Sequence, residues 1–189
     1  MVDKIKVALV GLGNCFSGLI QGIEYYRKNP SQQVIGIIHD KLRDYSIHDI
    51  DFVAGFDVGE NKIGKGVNEA IYESPNMVNW IDKNDMPKTD GVVYESPALD
   101  GVGIWVENKV NPIQSGKSQS ELESEIKNII KDTGTEIIVS YLPVGSEKAT
   151  QFWANICLET NTAFVNCMPA FIASDEEWAQ KFKDKNIPI

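Results

Sequence analysis

Ile5-Lys6-Val7-Ala8-Leu9-Val10-Gly11-Leu12-Gly13-Asn14-Cys15-Phe16-Ser17-Gly18 decides the fold. Apart from Lys6, its first six residues are apolar and rich in β-formers. The run stops at a glycine, as a buried strand of a parallel sheet does. Beyond the glycines, Leu19, Ile20, Ile23 and Tyr26 recur at helical spacing, which predicts a helix from about Cys15 to Arg27. A strand that runs through Gly-x-Gly into a helix is the arrangement that binds a dinucleotide pyrophosphate. Gly11 permits the tight turn, Gly13 lets the backbone approach a phosphate, and the helix N-terminus supplies free N–H groups with a partial positive charge. The third position, usually Gly or Ala, is Phe16, and Gly18 follows two residues later.

Working outward, residues 51–57 read as a second strand that closes in Asp57. An acid there can accept both ribose hydroxyls of adenosine, which favours NAD over NADP. Gly13 and Asp57 are 44 positions apart (57 minus 13), against a usual spacing of about 20. Residues 29–50 therefore read as an insertion, and residues 95–117 as a second irregular one. Further strands are predicted at 91–94, 136–141 and 163–166, with a short helix near Val67 to Tyr72 and polar loop up to Met86. Ser118 and Glu121 have capping-box spacing and open a helix that ends at Gly134. Ser146 is placed to cap a helix running to Thr160, with Asn161 as its stop. Ser174 and Glu177 form a second capping-box pattern, and 186–189 reads as the opening of another strand.

This alternation predicts a single α/β domain over residues 1–189. It is a Rossmann-type, doubly wound, mostly parallel sheet with helices on both faces. Ligands of such sheets bind at the C-terminal ends of the strands. That edge gathers the glycine turn, Asp57, the loop Ser140 to Ser146, and Asn166 after the next strand. The candidate cofactor-binding set is Gly11, Gly13, Asn14, Cys15, Phe16, Ser17, Asp57, Ser140, Tyr141, Leu142, Pro143 and Asn166. Each also has a plain structural reading: a tight turn, a solvent-exposed strand-end acid, an ordinary strand-to-helix loop. Ser96 to Gly101 says only that the chain turns.

Composition narrows the classes. The chain has 189 residues, 42% hydrophobic and 24% charged, enough for one domain with a full core. A net charge of −9 gives no general attraction to nucleic acid or anionic lipid. No apolar run approaches the roughly 20 residues of a membrane span, and the alternating start Lys4-Ile5-Lys6-Val7 does not read as a signal peptide. A cytoplasmic protein is expected. Cys15, Cys157 and Cys167 include no Cys-x-x-Cys pair, and His39 and His48 are nine apart, so neither a disulfide framework nor a metal site is expected. No Ser-His-Asp or Cys-His set is present, and no catalytic residue is assigned. Trp80, Trp105, Trp153 and Trp178 read as packing or interface residues.

In order, residues 7–15, 21–26, 52–58, 97–101, 139–147 and 171–175 resemble myo-inositol-1-phosphate synthase of the bacterial and archaeal type. The resemblance covers nearly the whole chain. It implies an NAD-dependent isomerase, tetrameric in the family, that converts glucose 6-phosphate to 1L-myo-inositol 1-phosphate by oxidation, enolisation, aldol closure and reduction. Gly11 to Ser17 would hold the pyrophosphate, Asp57 the adenosine ribose, and Ser140 to Ser146 the nicotinamide half. The sequence departs at Gly66, where the family commonly has an acid, and family members continue into a lysine-bearing catalytic and tetramerisation domain. The expectation is an NAD-binding portion, inactive alone and self-associating through an apolar edge near Ile187-Pro188-Ile189. The alternatives are a non-catalytic NAD-binding subunit paired with another chain, or a nicotinamide dehydrogenase of a small substrate.

Overall fold

The computed structural model describes residues 3–30, 36–39, 41–102 and 108–189. Trp105 lies outside them. β1 (Ile5–Val10) leads into α1 (Asn14–Lys28). A two-residue hairpin, β2 (Lys41–Leu42) and β3 (Tyr45–Ser46), precedes β4 (Ile50–Asp57). Then come α2 (Val67–Ala70), β5 (Val92–Glu95), α3 (Gln119–Thr133), β6 (Ile137–Ser140), α4 (Glu147–Thr160), β7 (Ala163–Asn166) and α5 (Glu176–Asp184). The five longer strands form one sheet in the order β5-β4-β1-β6-β7, and every pairing is parallel. This is the doubly wound sheet expected from the strand-helix alternation.

The period-two alternation of the strands sorts the core into two layers. Val7 and Leu9 of β1 face α1 and α2, where Phe16, Ile20, Val67 and Ile71 cover them. Ala8 and Val10 face the other side, with Phe56, Ile138 and Phe164, under α3, α4 and α5. From Val7 to Val10 β1 is buried on both faces because it sits at the centre, which explains the apolar run there. The helix ends follow local chemistry. Ser118 and Glu121 cap α3 reciprocally, and Gly134 (φ 65°) and Asn161 (φ 55°) close α3 and α4 in the left-handed conformation.

Four sequence expectations change. The insertion at 29–50 is not featureless: its described part holds the β2–β3 hairpin and a 3₁₀ turn, Ile47–Asp49, capped by Ser46. α5 begins one residue late for the Ser174/Glu177 box, and its cap is Asp175, whose carboxylate accepts from the Trp178 N–H at 3.1 Å. Residues 186–189 form no strand. Instead Ile187 is buried beside Phe182, and the Pro188 carbonyl accepts from Phe164 N–H at 3.0 Å, partly covering the β7 edge. Ser146 occupies the N-cap position of α4, but its hydroxyl donates to Pro143 O at 2.6 Å rather than capping. No helix among the described residues is long and apolar enough to cross a membrane.

Candidate functional site

The central turn is built by close approach. At φ +81°, Gly11 sits under the loop that follows β6, where an added Cβ would lie 2.8 Å from the Tyr141 carbonyl oxygen. Tyr141 N–H donates to Val10 O (3.0 Å) and Gly11 N–H to Phe56 O (2.9 Å), so the end of β1 is tied to both neighbouring strands. Leu12 tucks its buried side chain over Gly55, where a Cβ would come within 3.0–3.1 Å of the Leu12 methyl groups. Gly13 differs from both: a Cβ there would meet no atom of the described residues within 4 Å. Packing against the described residues does not require glycine at 13.

The space beside Gly13 is a cavity of about 280 Å³, at the low end of small-molecule sites (roughly 300–1,000 Å³). Gly11, Gly13, Asn14 and Cys15 form one wall, Asp57, Val58 and Lys62 a second, Pro97, Ala98 and Gly101 a third, and Tyr141, Leu142 and Pro143 a fourth. Phe56 and Trp153 also line it. The N-terminus of α1 opens on this cavity with no side-chain cap and no acidic residue in its first turn. An uncapped N-terminus of a 15-residue helix presents free N–H groups and half a positive charge, the electrostatics of an anion site.

Eight of the twelve expected residues line this cleft: Gly11, Gly13, Asn14, Cys15, Asp57, Tyr141, Leu142 and Pro143. The other four do not. Phe16 is fully buried, edge-on to Tyr141 with ring centroids 4.8 Å apart, and fills the space between α1 and the sheet. Ser17 is fully buried and donates to Ile71 O at 2.6 Å. Ser140 points to the α4 side, where its buried hydroxyl has no hydrogen-bond partner among the described residues. Asn166 braces its own loop, donating to Ala170 O and accepting from Met168 N–H. Asp57 is at the expected place, but its carboxylate is turned onto the backbone. It accepts from Leu12 N–H (2.8 Å), Val58 N–H (2.8 Å) and Gly59 N–H (2.9 Å) and pairs with Lys62 (3.5 Å). Gly66 is the N-cap residue of α2, in extended backbone.

A hydrogen bond with Cys167, followed by burial and the charges of Cys167 and Cys15, holds the Tyr141 phenol above its ordinary range. It is therefore a neutral hydroxyl at physiological pH. Cys157 is remote from this chemistry, and burial pushes its thiol up. Among the described residues no group of three or more His, Cys, Asp or Glu is placed to hold a metal.

Two site components were not expected from sequence. Residues 76–81 are strapped along α1. Asn76 donates to Leu12 O (2.8 Å), Asn14 Oδ1 accepts from Met77 N–H (2.7 Å), and Gln21 Oε1 accepts from the N–H groups of Trp80 (2.7 Å) and Ile81 (3.0 Å). The second component is Asp100. Its carboxylate accepts from Lys148 N–H and Ala149 N–H, both at 2.8 Å, and so caps α4 in place of Ser146. Asp100→Ala is expected to lower stability by about 1–2 kcal/mol, the worth of a good cap near a helix dipole. Urea denaturation reads this, and an unchanged midpoint would show that the contact contributes nothing.

No model of a protein family matches the chain. Curated relatives do. It is 42% identical over 187 residues to inositol-3-phosphate synthase of Mycolicibacterium smegmatis, covering 98% of this chain and 49% of that one. It is 44% identical over 188 residues to inositol-3-phosphate synthase of Corynebacterium glutamicum, covering 99% and 50%. The chain matches the N-terminal half of inositol-3-phosphate synthases. It spans about half the length of these relatives. Among solved structures, the crystal structure of Ari2 superposes with a TM-score of 0.80 at 26% identity, over 98% of this chain and 53% of that one. A myo-inositol-1-phosphate synthase-related protein from Thermotoga maritima superposes at 0.74 with 23% identity, over 97% and 53%, and shares the fold. The stretches that carried the resemblance to inositol-phosphate synthases thus coincide with a match along nearly the whole chain.

Proposed function

We propose that this chain is the NAD-binding portion of an inositol-3-phosphate synthase that isomerises D-glucose 6-phosphate to 1L-myo-inositol 1-phosphate. The observation that carries the reading is Gly13: a glycine with empty space where its side chain would be, facing a cleft at the uncapped N-terminus of α1. In this reading Gly11, Gly13, Asn14 and Cys15 hold the pyrophosphate through backbone N–H groups. Tyr141, Leu142 and Pro143 hold the nicotinamide half, with Tyr141 donating as a neutral phenol. When bound, NAD supplies the hydride acceptor for the oxidation of the sugar and the donor for the final reduction.

Enolisation beside a ketone needs a base and a group that stabilises the developing charge, together in one closed site. Among the described residues, the one ion pair lining the cleft, Asp57 with Lys62, is engaged with the glycine turn. The catalytic set is therefore assigned to polypeptide corresponding to the other half of the relatives, and the 189-residue chain is expected to bind NAD without turning over glucose 6-phosphate. Isothermal titration of NAD into the purified chain, with a parallel assay for inositol phosphate, tests both statements. Absence of NAD binding overturns the cofactor reading, and inositol phosphate produced by this chain alone overturns the division of labour.

Val165, Phe171 and Ile189 are exposed together beside β7. An apolar strip at a sheet edge supports association, and a homo-oligomer is the reading we favour. Sedimentation that finds only monomer at high concentration would remove it. The cytoplasm is the proposed compartment.

A further inference from the structure

Asp57 and Lys62 are a buried ion pair, with side chains 9% and 5% exposed. A buried pair does not by itself stabilise a fold, because the desolvation of both charges offsets their attraction. This one has a specific geometry: both charges converge on a single residue of the glycine turn, one on each of its two flanking peptide groups. Asp57 Oδ2 accepts from Leu12 N–H at 2.8 Å, and Lys62 Nζ donates to Leu12 O at 2.8 Å. Asn76 donates to the same carbonyl, also at 2.8 Å. Leu12 is the middle residue of Gly11-Leu12-Gly13, so the N–H and the C=O of the turn's central residue are both held by side chains from outside it.

A carboxylate has about four acceptor positions. Those of Asp57 face Leu12 N–H, Val58 N–H, Gly59 N–H and the Lys62 ammonium. Two ribose hydroxyls would have to displace donors that hold the turn in place.

We propose that Asp57 and Lys62 are positioning residues for the dinucleotide: they lock the two peptide groups that flank Leu12 so that Gly13 and the N-terminus of α1 face the pyrophosphate, and Asp57 does not take the adenosine ribose hydroxyls. This rests on the NAD reading above. It has a consequence for cofactor choice. An acid on the ribose repels a 2′-phosphate, so neutralising it shifts preference towards NADP. A clamp on the turn acts on the pyrophosphate that NAD and NADP share, so neutralising it weakens both equally.

The test titrates NAD and NADP into the wild-type chain, Asp57→Asn, Lys62→Met and the double variant, with amide hydrogen exchange followed in the cofactor-free proteins. The double variant removes both charges together, so it keeps the experiment readable if a single variant leaves an unpaired charge and does not fold. Phe182→Leu, at the buried core position of α5 and away from the turn, serves as a control for stability loss alone. The expected result is a loss of about tenfold in affinity for each dinucleotide, the scale of one charge-assisted hydrogen bond. The NAD:NADP ratio stays within about threefold of wild type. Exchange quickens at Leu12, Gly13 and Asn14 in the clamp variants and not in Phe182→Leu. A tenfold or greater swing towards NADP in Asp57→Asn, or clamp variants with wild-type affinity and exchange, overturns the proposal. A wild-type chain that binds neither dinucleotide overturns the NAD reading, and this role with it.

Discussion

Gly11→Ala is expected to cost about 2–5 kcal/mol of stability and to abolish NAD binding. Two separate penalties add. Alanine at φ +81° takes a left-handed conformation that costs an L-residue about 1–2 kcal/mol. Its Cβ would also stand 2.8 Å from Tyr141 O, 3.3 Å from Tyr141 C and 3.3 Å from a Leu142 methyl, and forcing atoms into packed space costs typically 1–3 kcal/mol. The chain cannot slide away cheaply, because Gly11 N–H is bonded to Phe56 O and Val10 O to Tyr141 N–H. Gly13→Ala provides the contrast. With no atom of the described residues within 4 Å of the added methyl, its effect on stability is expected to stay under about 1 kcal/mol, the loss of a glycine cap. Its effect on NAD binding should still be large, because the methyl stands in the cleft. Urea midpoints and NAD titrations on the two variants separate the roles. Equal stability loss at both positions would show that packing, and not ligand access, explains Gly13.

What was legible in the sequence was whatever depends on near neighbours along the chain. The β1 run, the Gly11 turn, the Ser118–Glu121 box and the Gly134 stop each rest on contacts within a few residues, and each stands where the sequence places it. The acid at the end of β4 was also placed correctly, but its partners were not: Leu12 is 45 positions away, and Lys62 falls in a stretch with no periodic signal. Phe16 looked like a defect in the glycine pattern. In the fold it fills a gap against Tyr141, a contact between residues of adjacent strand-loop units that no local pattern encodes. By local pattern alone Asp100 marks only a turn, because the helix it caps begins 47 positions later (147 minus 100). Ser146 was the obvious cap by position. Its ψ of 56° swings the hydroxyl into the Pro143 turn instead. Ser17 and Ser140 illustrate the same limit: strand and helix position can be read from sequence, but which face is buried at a given rung depends on the layers above and below.

Trp153 connects the core to the cleft, and Trp153→Ala is expected to cost about 3–5 kcal/mol, as large-to-small changes at buried aromatics do. The ring is 1% exposed. It packs at 4.9 Å (centroid to centroid) from Phe56 and 5.7 Å, edge-on, from Phe152. Such aromatic pairs add about 0.5–1.5 kcal/mol beyond their buried area. Phe56 immediately precedes Asp57, and its carbonyl accepts from Gly11 N–H. A void beneath Phe56 therefore loosens the turn as well as the core, and NAD affinity should fall together with stability. Typical domain stability is about 5–15 kcal/mol, so the alanine variant stands near the edge of folding. Trp153→Phe keeps most of the volume and is expected to lose under about 2 kcal/mol. Urea denaturation of the two variants should rank them in that order. A Trp153→Ala variant as stable as wild type would mean that the α4 side of the sheet is not packed on this residue, and that the cleft floor is held by other contacts.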